Sequence, residues 1–404
     1  IMALKNNTWK LNQWYDQNVA GNVSYSGVRQ LFIHGSASEG VQGLNTPSNS
    51  HISSPTQIPG TWKYSLLNHS SDGENGGIKT DGTLWTWGRN EKGEMGVNDR
   101  TFRSSPTQVG SGTDWAVGRM RGRQEGGIAT KTDGTLWVWG VNTKGDLGQN
   151  NNTQRSSPVQ VPGTTWPTSD PNHLTTCREN VCMVIKTDGT LWAWGANNYG
   201  HLGQNQPNNS HVSSPVQIGS ETTWSLASGG DATVAIKTDG TLWVWGSNNR
   251  GQLGQNQNSG QYGGSYAKSS PTQLGSETTW SQASSGTKAM GAVKTDGTLW
   301  LWGQNDFGRL GQNQAHPGLD GASSPVQIPG TNWQELSMGD DNALALKTDG
   351  TIWSWGYNFR GTLGLNQGWP GSLQAASSPT QIPGTDWVSG FKAGTNTSTL
   401  LKVL

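Results

Sequence analysis

Short alternating runs of apolar and polar residues recur along this chain, and the same punctuation ends each of them. A run such as Ala343-Leu344-Ala345-Leu346 leads into Lys-Thr-Asp-Gly-Thr, and then into Leu-Trp-x-Trp-Gly. Alternation with a period of two predicts strands that turn one face to a core. Asp-Gly between two such runs predicts a hairpin of type I′, whose two central residues both take positive φ. The two Trp residues, two positions apart, fall on one face of their strand.

The cassette starts at Lys79, Lys131, Lys186, Lys237, Lys294 and Lys347, the last copy carrying Ile352 in place of Leu. Its first Trp falls at Trp85, Trp137, Trp192, Trp243, Trp300 and Trp353, a spacing of 51 to 57 residues. A fixed period of this size indicates repeated copies of one supersecondary unit. Next comes Gly-x-Asn-x-x-Gly-x-Leu-Gly, as in Gly246 to Gly254, and after a polar loop Ser-Ser-Pro-x-Gln, where Pro marks an edge strand. Each unit closes on a Trp: Trp62, Trp115, Trp166, Trp224, Trp280, Trp333 or Trp387.

Four short strands per unit predict a propeller blade. Ser-Ser-Pro occurs seven times, at Pro55, Pro106, Pro158, Pro215, Pro271, Pro325 and Pro379, which gives seven blades. Near the start, Leu31-Phe32-Ile33-His34-Gly35 replaces Leu-Trp-x-Trp-Gly, and the last unit stops at Leu400-Leu401-Lys402, where its hairpin is due. The expected fold is all-β: a seven-bladed β-propeller over residues 23–404, closed by pairing of N- and C-terminal half-blades. Residues 1–22 belong to no repeat and form a separate N-terminal attachment segment.

The unit resembles the repeat of the regulator of chromosome condensation family, carried here by residues such as Ala235 through Gly254. The resemblance covers roughly residues 23–404. It implies a seven-bladed propeller and, as the founding member's type of activity, nucleotide exchange on a small GTPase coupled to chromatin binding.

Composition narrows the function classes. Charged residues are 13%, and Lys plus Arg equals Asp plus Glu at 27 each. Arg119, Arg121 and Arg123 form a local positive cluster but no long basic run appears, so no nucleic-acid partner is expected. No apolar stretch reaches a membrane span and no secretory signal is seen, so no membrane insertion is expected. Cys177 and Cys182 are open to three readings: two small apolar residues, a local disulfide, or part of a zinc site. Of 22 Trp residues, 19 belong to the repeat lattice and are assigned to packing, which leaves Trp9, Trp14 and Trp369. The cassette Asp residues sit before Gly in tight turns and are read as structural. No catalytic motif, cofactor site or metal site stands out, and the chain reads as non-enzymatic.

Recognition is expected where the repeats differ. Six residues before the cassette Lys, the units carry Gly73, Glu125, Asn180, Asp231, Lys288, Asp341 and Asn396. The loop before Ser-Ser-Pro runs 5 residues after Asn98 but 12 after Asn256, 9 after Asn313 and 10 after Asn366. The long loops carry Tyr262, Tyr266, His316 and Trp369. Candidate binding residues are therefore Tyr262, Tyr266, His316, Trp369, Glu125, Asp231, Lys288 and Asp341. Trp9, Trp14 and Tyr15 are candidate anchors of the N-terminal segment to other structural proteins. The polar, Trp-rich, near-identical repeats resemble phage virion proteins. The expected role is a virion-associated display or adhesion scaffold facing a host-surface protein or glycan. The alternatives are a cytosolic interaction hub of the nucleotide-exchange-factor type and a glycan-binding lectin.

Overall fold

The computed structural model describes residues 28–46, 50–67, 73–120, 126–169, 175–178, 180–206, 208–257, 267–313, 321–367 and 374–403. The chain begins with β1 (Arg29–Gly35) and β2 (Ile52–Ile58). Blade 1 follows as β3 (Trp62–Leu67), β4 (Glu74–Lys79), β5 (Leu84–Gly88) and β6 (Arg103–Gln108). Blade 2 is β7 (Trp115–Met120), β8 (Gly126–Lys131), β9 (Leu136–Gly140) and β10 (Arg155–Val161). Blade 3 is β11 (Thr175–Arg178), β12 (Val181–Ile185), β13 (Leu191–Gly195) and β14 (Val212–Gln217). Blade 4 is β15 (Trp224–Gly229), β16 (Ala232–Lys237), β17 (Leu242–Gly246) and β18 (Lys268–Gln273). Blade 5 is β19 (Trp280–Ser285), β20 (Ala289–Lys294), β21 (Leu299–Gly303) and β22 (Ala322–Ile328). Blade 6 is β23 (Trp333–Met338), β24 (Asn342–Lys347), β25 (Ile352–Tyr357) and β26 (Ala375–Gln381). The chain returns through β27 (Trp387–Lys392) and β28 (Thr397–Val403).

These strands make seven four-stranded antiparallel sheets, and the last has the order β2-β1-β28-β27. Both ends of the chain therefore build one blade, as expected. The seam is the β1–β28 ladder, in register from Arg29 opposite Val403 to Gly35 opposite Thr397. The first strands of adjacent blades pack side by side right round the axis, β27 against β3 included. The Ser-Ser-Pro strands lie outermost, where a proline's missing N–H disturbs no further ladder.

The core lies between blades rather than within one. One cluster joins Val181, Met183 and Ile185 of blade 3 to Trp224, Ala235 and Trp245 of blade 4. Equivalent clusters fill the other junctions, including that between blade 6 and the closing blade and that between the closing blade and blade 1. The second Trp of the cassette is fully buried (Trp87, Trp139, Trp194, Trp245, Trp302, Trp355). The first is only half-buried.

Each junction is also clasped by a polar bond. The indole N–H of Trp245 donates to the His201 carbonyl of the preceding blade at 3.0 Å. Trp87, Trp139, Trp194, Trp302 and Trp355 do the same to Val41, Glu94, Asp146, Gln252 and Arg309, at 2.7 to 3.0 Å. At the closing blade His34 takes this role, donating from Nε2 to the Thr362 carbonyl at 3.1 Å. A second set of bonds links each Leu-Gly-x-Asn segment to the next outermost strand, and Asn366 N to Ser53 O at 2.7 Å completes the circle.

The Asp-Gly hairpin is not of type I′. Lys79 N donates to Thr83 O at 2.9 Å and Gly82 N to Lys79 O at 3.0 Å, which makes a three-residue loop. Only Gly82 takes positive φ, at 79°. This is a tight turn followed by a glycine bulge. A Cβ on Gly82 would collide with the Thr113 carbonyl of the linker to blade 2. Asp81 locks the loop: Oδ1 accepts Thr83 N at 3.0 Å and the Thr83 hydroxyl at 2.6 Å, and Thr83 in turn accepts the Trp85 indole N–H at 2.7 Å. The same relay runs from Trp243 through Thr241 to Asp239. Those bonds hold the Asp carboxyls below their ordinary range, the Thr hydroxyl contributing most. The structural reading of these aspartates therefore stands on geometry.

Cys182 is disulfide-bonded, and Cys177, the chain's other cysteine, is its cross-strand partner in the β11–β12 ladder.

Candidate interaction face

Strand alternation sorts the connections of every blade between the two sides of the ring. Turns between first and second strands, which carry Asp231, Lys288 and Asp341, share a side with the Gly-x-Asn-x-x-Gly loops. The Asp-Gly hairpins and the linkers between blades share the other. The two variable elements of the sequence therefore lie on one face. Its loops are anchored: Asn305 Oδ1 accepts Leu310 N at 3.0 Å, and Asn358 Oδ1 accepts Leu363 N at 3.1 Å. Side chains on this face stand on a hydrogen-bonded base.

A row of aromatic rings runs across this face from blade 5 to blade 6. Phe307, 45% exposed at the tip of its loop, stacks on Tyr357 with centroids 4.3 Å apart and planes at 30°. Tyr357 stacks on Phe359 at 5.8 Å and 10°. The Arg360 guanidinium lies 4.6 Å from the Phe359 ring centre and donates to the Ser36 hydroxyl of the closing blade at 3.1 Å. Phe307 and Arg360 both take φ near +57° (57° and 56°), a region that bulky residues rarely occupy.

Beside the row lies a satisfied polar network. The Arg309 guanidinium, 1% exposed, donates to Asp341 Oδ1 at 2.7 Å and to the Asp340 carbonyl at 2.9 Å. This bond staples the blade 5 loop to the first turn of blade 6. The Asp340 carboxylate accepts the Thr287 hydroxyl on one side and the Thr395 hydroxyl, at 2.6 Å, on the other. It thereby ties together the first turns of blade 5, blade 6 and the closing blade.

Of the candidate residues, Asp231, Lys288 and Asp341 stand on this face, each partly exposed. Asp341 is engaged by Arg309. Asp231 lies beside the buried His201, whose imidazole burial lowers to a pKa of about 4. Glu125, Tyr262, Tyr266, His316 and Trp369 lie outside the described residues, as do Trp9, Trp14 and Tyr15. The sequence reading missed Phe307, Tyr357 and Phe359. A signal was available at the penultimate position of the Gly-x-Asn-x-x-Gly element. It holds Glu39, Lys92, Lys144, Arg250 and Arg360 in five units, against the rings Tyr199 and Phe307 in the other two. Among the described residues no cluster of three or more His, Cys, Asp or Glu could hold a metal, and no helix is long and apolar enough to cross a membrane. An apolar row with charged flanks suits recognition of another macromolecular surface.

The seven sheets and their closed ring define a seven-bladed β-propeller. Residues 122–402 match the RCC1-like domain, and residues 81–117 match the regulator of chromosome condensation (RCC1) repeat. The chain belongs to the RCC1-like family. It is similar to the ultraviolet-B receptor UVR8 of Arabidopsis thaliana, 25% identical over 302 residues that make up 74% of this chain and 65% of the receptor. It is also 25% identical over 288 residues to the human E3 ubiquitin-protein ligase HERC2, covering 68% of this chain but 6% of the ligase. The chain thus spans less than two thirds of either relative. Among solved structures, human WBSCR16 matches with a TM-score of 0.77 at 18% identity, covering 93% of this chain and 99% of that one. Yeast RCC1 (Prp20), solved with Kap60, matches with a TM-score of 0.77 at 17% identity, covering 94% and 89%. These two likenesses concern the fold.

Proposed function

We propose that this chain is a protein-interaction propeller that binds its partner through the loop face, with Phe307, Tyr357, Phe359 and Arg360 at the contact. The supporting observation is the stacked, partly exposed aromatic row on a rigid, hydrogen-bonded base. Aromatic and Arg side chains held in place bind at little entropic cost and are typical interface anchors. Family membership supports the same reading: the related yeast RCC1 was solved with Kap60, and a second study of Prp20p concerns its binding to Gsp1p and histones. Attachment through Trp9, Trp14 and Tyr15 and glycan binding through Tyr262, Tyr266, His316 or Trp369 are not part of this reading.

The test is affinity capture from the native source, comparing the wild type with Phe307→Asp at matched melting temperature. A partner retained by the wild type and depleted about tenfold by the variant supports the reading, since one truncated hot spot is worth roughly 2 kcal/mol or more. Equal recovery by both proteins refutes it. If the captured partner is a small GTPase, release of its labelled nucleotide on adding the propeller tests exchange activity directly.

A further inference from the structure

On the opposite side of the ring, each cassette Lys lies over two indoles. Lys186 Nζ is 4.6 Å from the centre of Trp166 and 3.9 Å from that of Trp192. Lys347 stands 4.6 and 4.1 Å from Trp333 and Trp353. In blades 2, 4 and 5 the chain also gives this lysine a carboxylate. The ion pairs are Lys131–Asp114 at 3.1 Å, Lys237–Glu221 at 2.6 Å and Lys294–Glu277 at 2.6 Å. Each acid comes from the linker that enters the blade, for example Gly219-Ser-Glu-Thr-Thr-Trp224.

Blades 1, 3 and 6 have a different linker with no acid in it, Pro59-Gly-Thr-Trp62, Pro162-Gly-Thr-Thr-Trp166 and Pro329-Gly-Thr-Asn-Trp333, and it is at the last two that a cleft lies over the lysine. Among the described residues, no carboxylate lies within ion-pair distance of Lys186 or Lys347. A cleft opens at both places. It measures about 440 Å³ in blade 3 and about 310 Å³ in blade 6, and equivalent Trp, Lys, Pro and Asn residues line the two. The indoles that floor it are fixed, Trp192 donating to the Thr190 hydroxyl at 2.8 Å and Trp353 to that of Thr351 at 3.0 Å. Burial pushes the Lys186 ammonium below its ordinary range, opposed by the charge of Asp188. A cation held over two rings and partly dried gains most from an anion brought to it.

We infer that the clefts of blades 3 and 6 are binding sites for a glutamate side chain of an extended acidic peptide. It would set its carboxylate on Lys186 or Lys347 as Glu221 and Glu277 do on Lys237 and Lys294. The chain's own blades are the template for the ligand. The inference concerns the hairpin face and does not rest on the role proposed for Phe307.

The experiment titrates the full chain calorimetrically with the capped pentapeptide Gly-Ser-Glu-Thr-Thr and with its Gln counterpart, following Trp emission alongside. The Glu peptide is expected to bind at two sites, and the Gln peptide about tenfold more weakly, because a charge-assisted bond is roughly twice as strong as a neutral one. Joint Lys186→Gln and Lys347→Gln substitution removes the heat, and Glu277→Gln, which frees Lys294, adds a site. Should the double variant fail to fold, the Glu277→Gln arm still decides. Equal binding of the two peptides, or no added site, overturns the inference. Full competition by acetate at the peptide's own concentration also overturns it, by reducing the cleft to a generic anion site.

Discussion

Blades 1 to 6 and the closing blade solve one problem with different residues. In the first six, a buried indole fills the junction and clasps the preceding loop. In the closing blade Phe32 and His34 stand at those two positions, and Phe32 packs edge-on against Trp387, centroids 5.4 Å apart at 85°. His34 is fully buried, makes the same clasp, and leaves Nδ1 without a hydrogen-bond partner. What the ring requires at this point is an aromatic N–H aimed at a carbonyl; indole volume is the additional packing that the other six junctions use. The closing blade rests instead on a ladder between distant parts of the chain.

That contrast can be broken most severely by removing residues 397–404, which deletes β28 from the middle of the closing sheet. The expected outcome is loss of a cooperative thermal transition by circular dichroism; an unchanged melting temperature would refute closure. A smaller effect separates the two kinds of clasp. Trp245→Ala should destabilise by roughly 3–5 kcal/mol and His34→Ala by roughly 1–3 kcal/mol in urea titrations, a difference set by the lost aromatic volume. Equal values would show that the indole contributes no more than its hydrogen bond.

Acid should sharpen the comparison. Burial lowers the His34 pKa from 6.5 to about 4, against the Thr362 hydrogen bond. Between those two values the unfolded chain binds the proton and the folded one does not, so stability present above pH 6.5 is lost as pH falls towards 4. The loss is of the order of 3 kcal/mol for this one residue, at about 1.4 kcal/mol per unit. His34→Trp, which restores the cassette, should remove its share of that slope and leave the share of His201, whose pKa burial also lowers to about 4; an unaltered slope would place the effect elsewhere. The smallest change expected is Asp239→Ala. It leaves Thr241 and the Trp243 indole without their relay and should lower stability by about 1 kcal/mol, with every blade still in register.

The ring was legible in the chain because its punctuation repeats: the Trp pair, the glycines and the Ser-Ser-Pro edge strands fix four strands per unit and locate the seam at both ends. The turn type was not, since Asp-Gly serves both a two-residue hairpin and a three-residue loop with a glycine bulge. Here the Thr83 hydroxyl bridging Asp81 and Trp85 accompanies the second. Asp341 was singled out as variable, but its engagement by Arg309, from the blade before, depends on a loop path that no local pattern encodes. Phe307 sits inside the repeated Gly-x-Asn-x-x-Gly motif, where the glycines and Asn dominate the pattern and hide the one position that varies.

The seam also governs how the molecule bears load. Arg29 and Val403 face each other at one end of an antiparallel ladder, so tension applied through residues outside it pulls both strands from that end. The rungs then open one at a time, from Arg29–Val403 towards Gly35–Thr397, instead of sharing the force as they would in shear. A ring held by seven packed junctions is therefore weakest under traction at its seam, and it opens like a zip where the two strands meet.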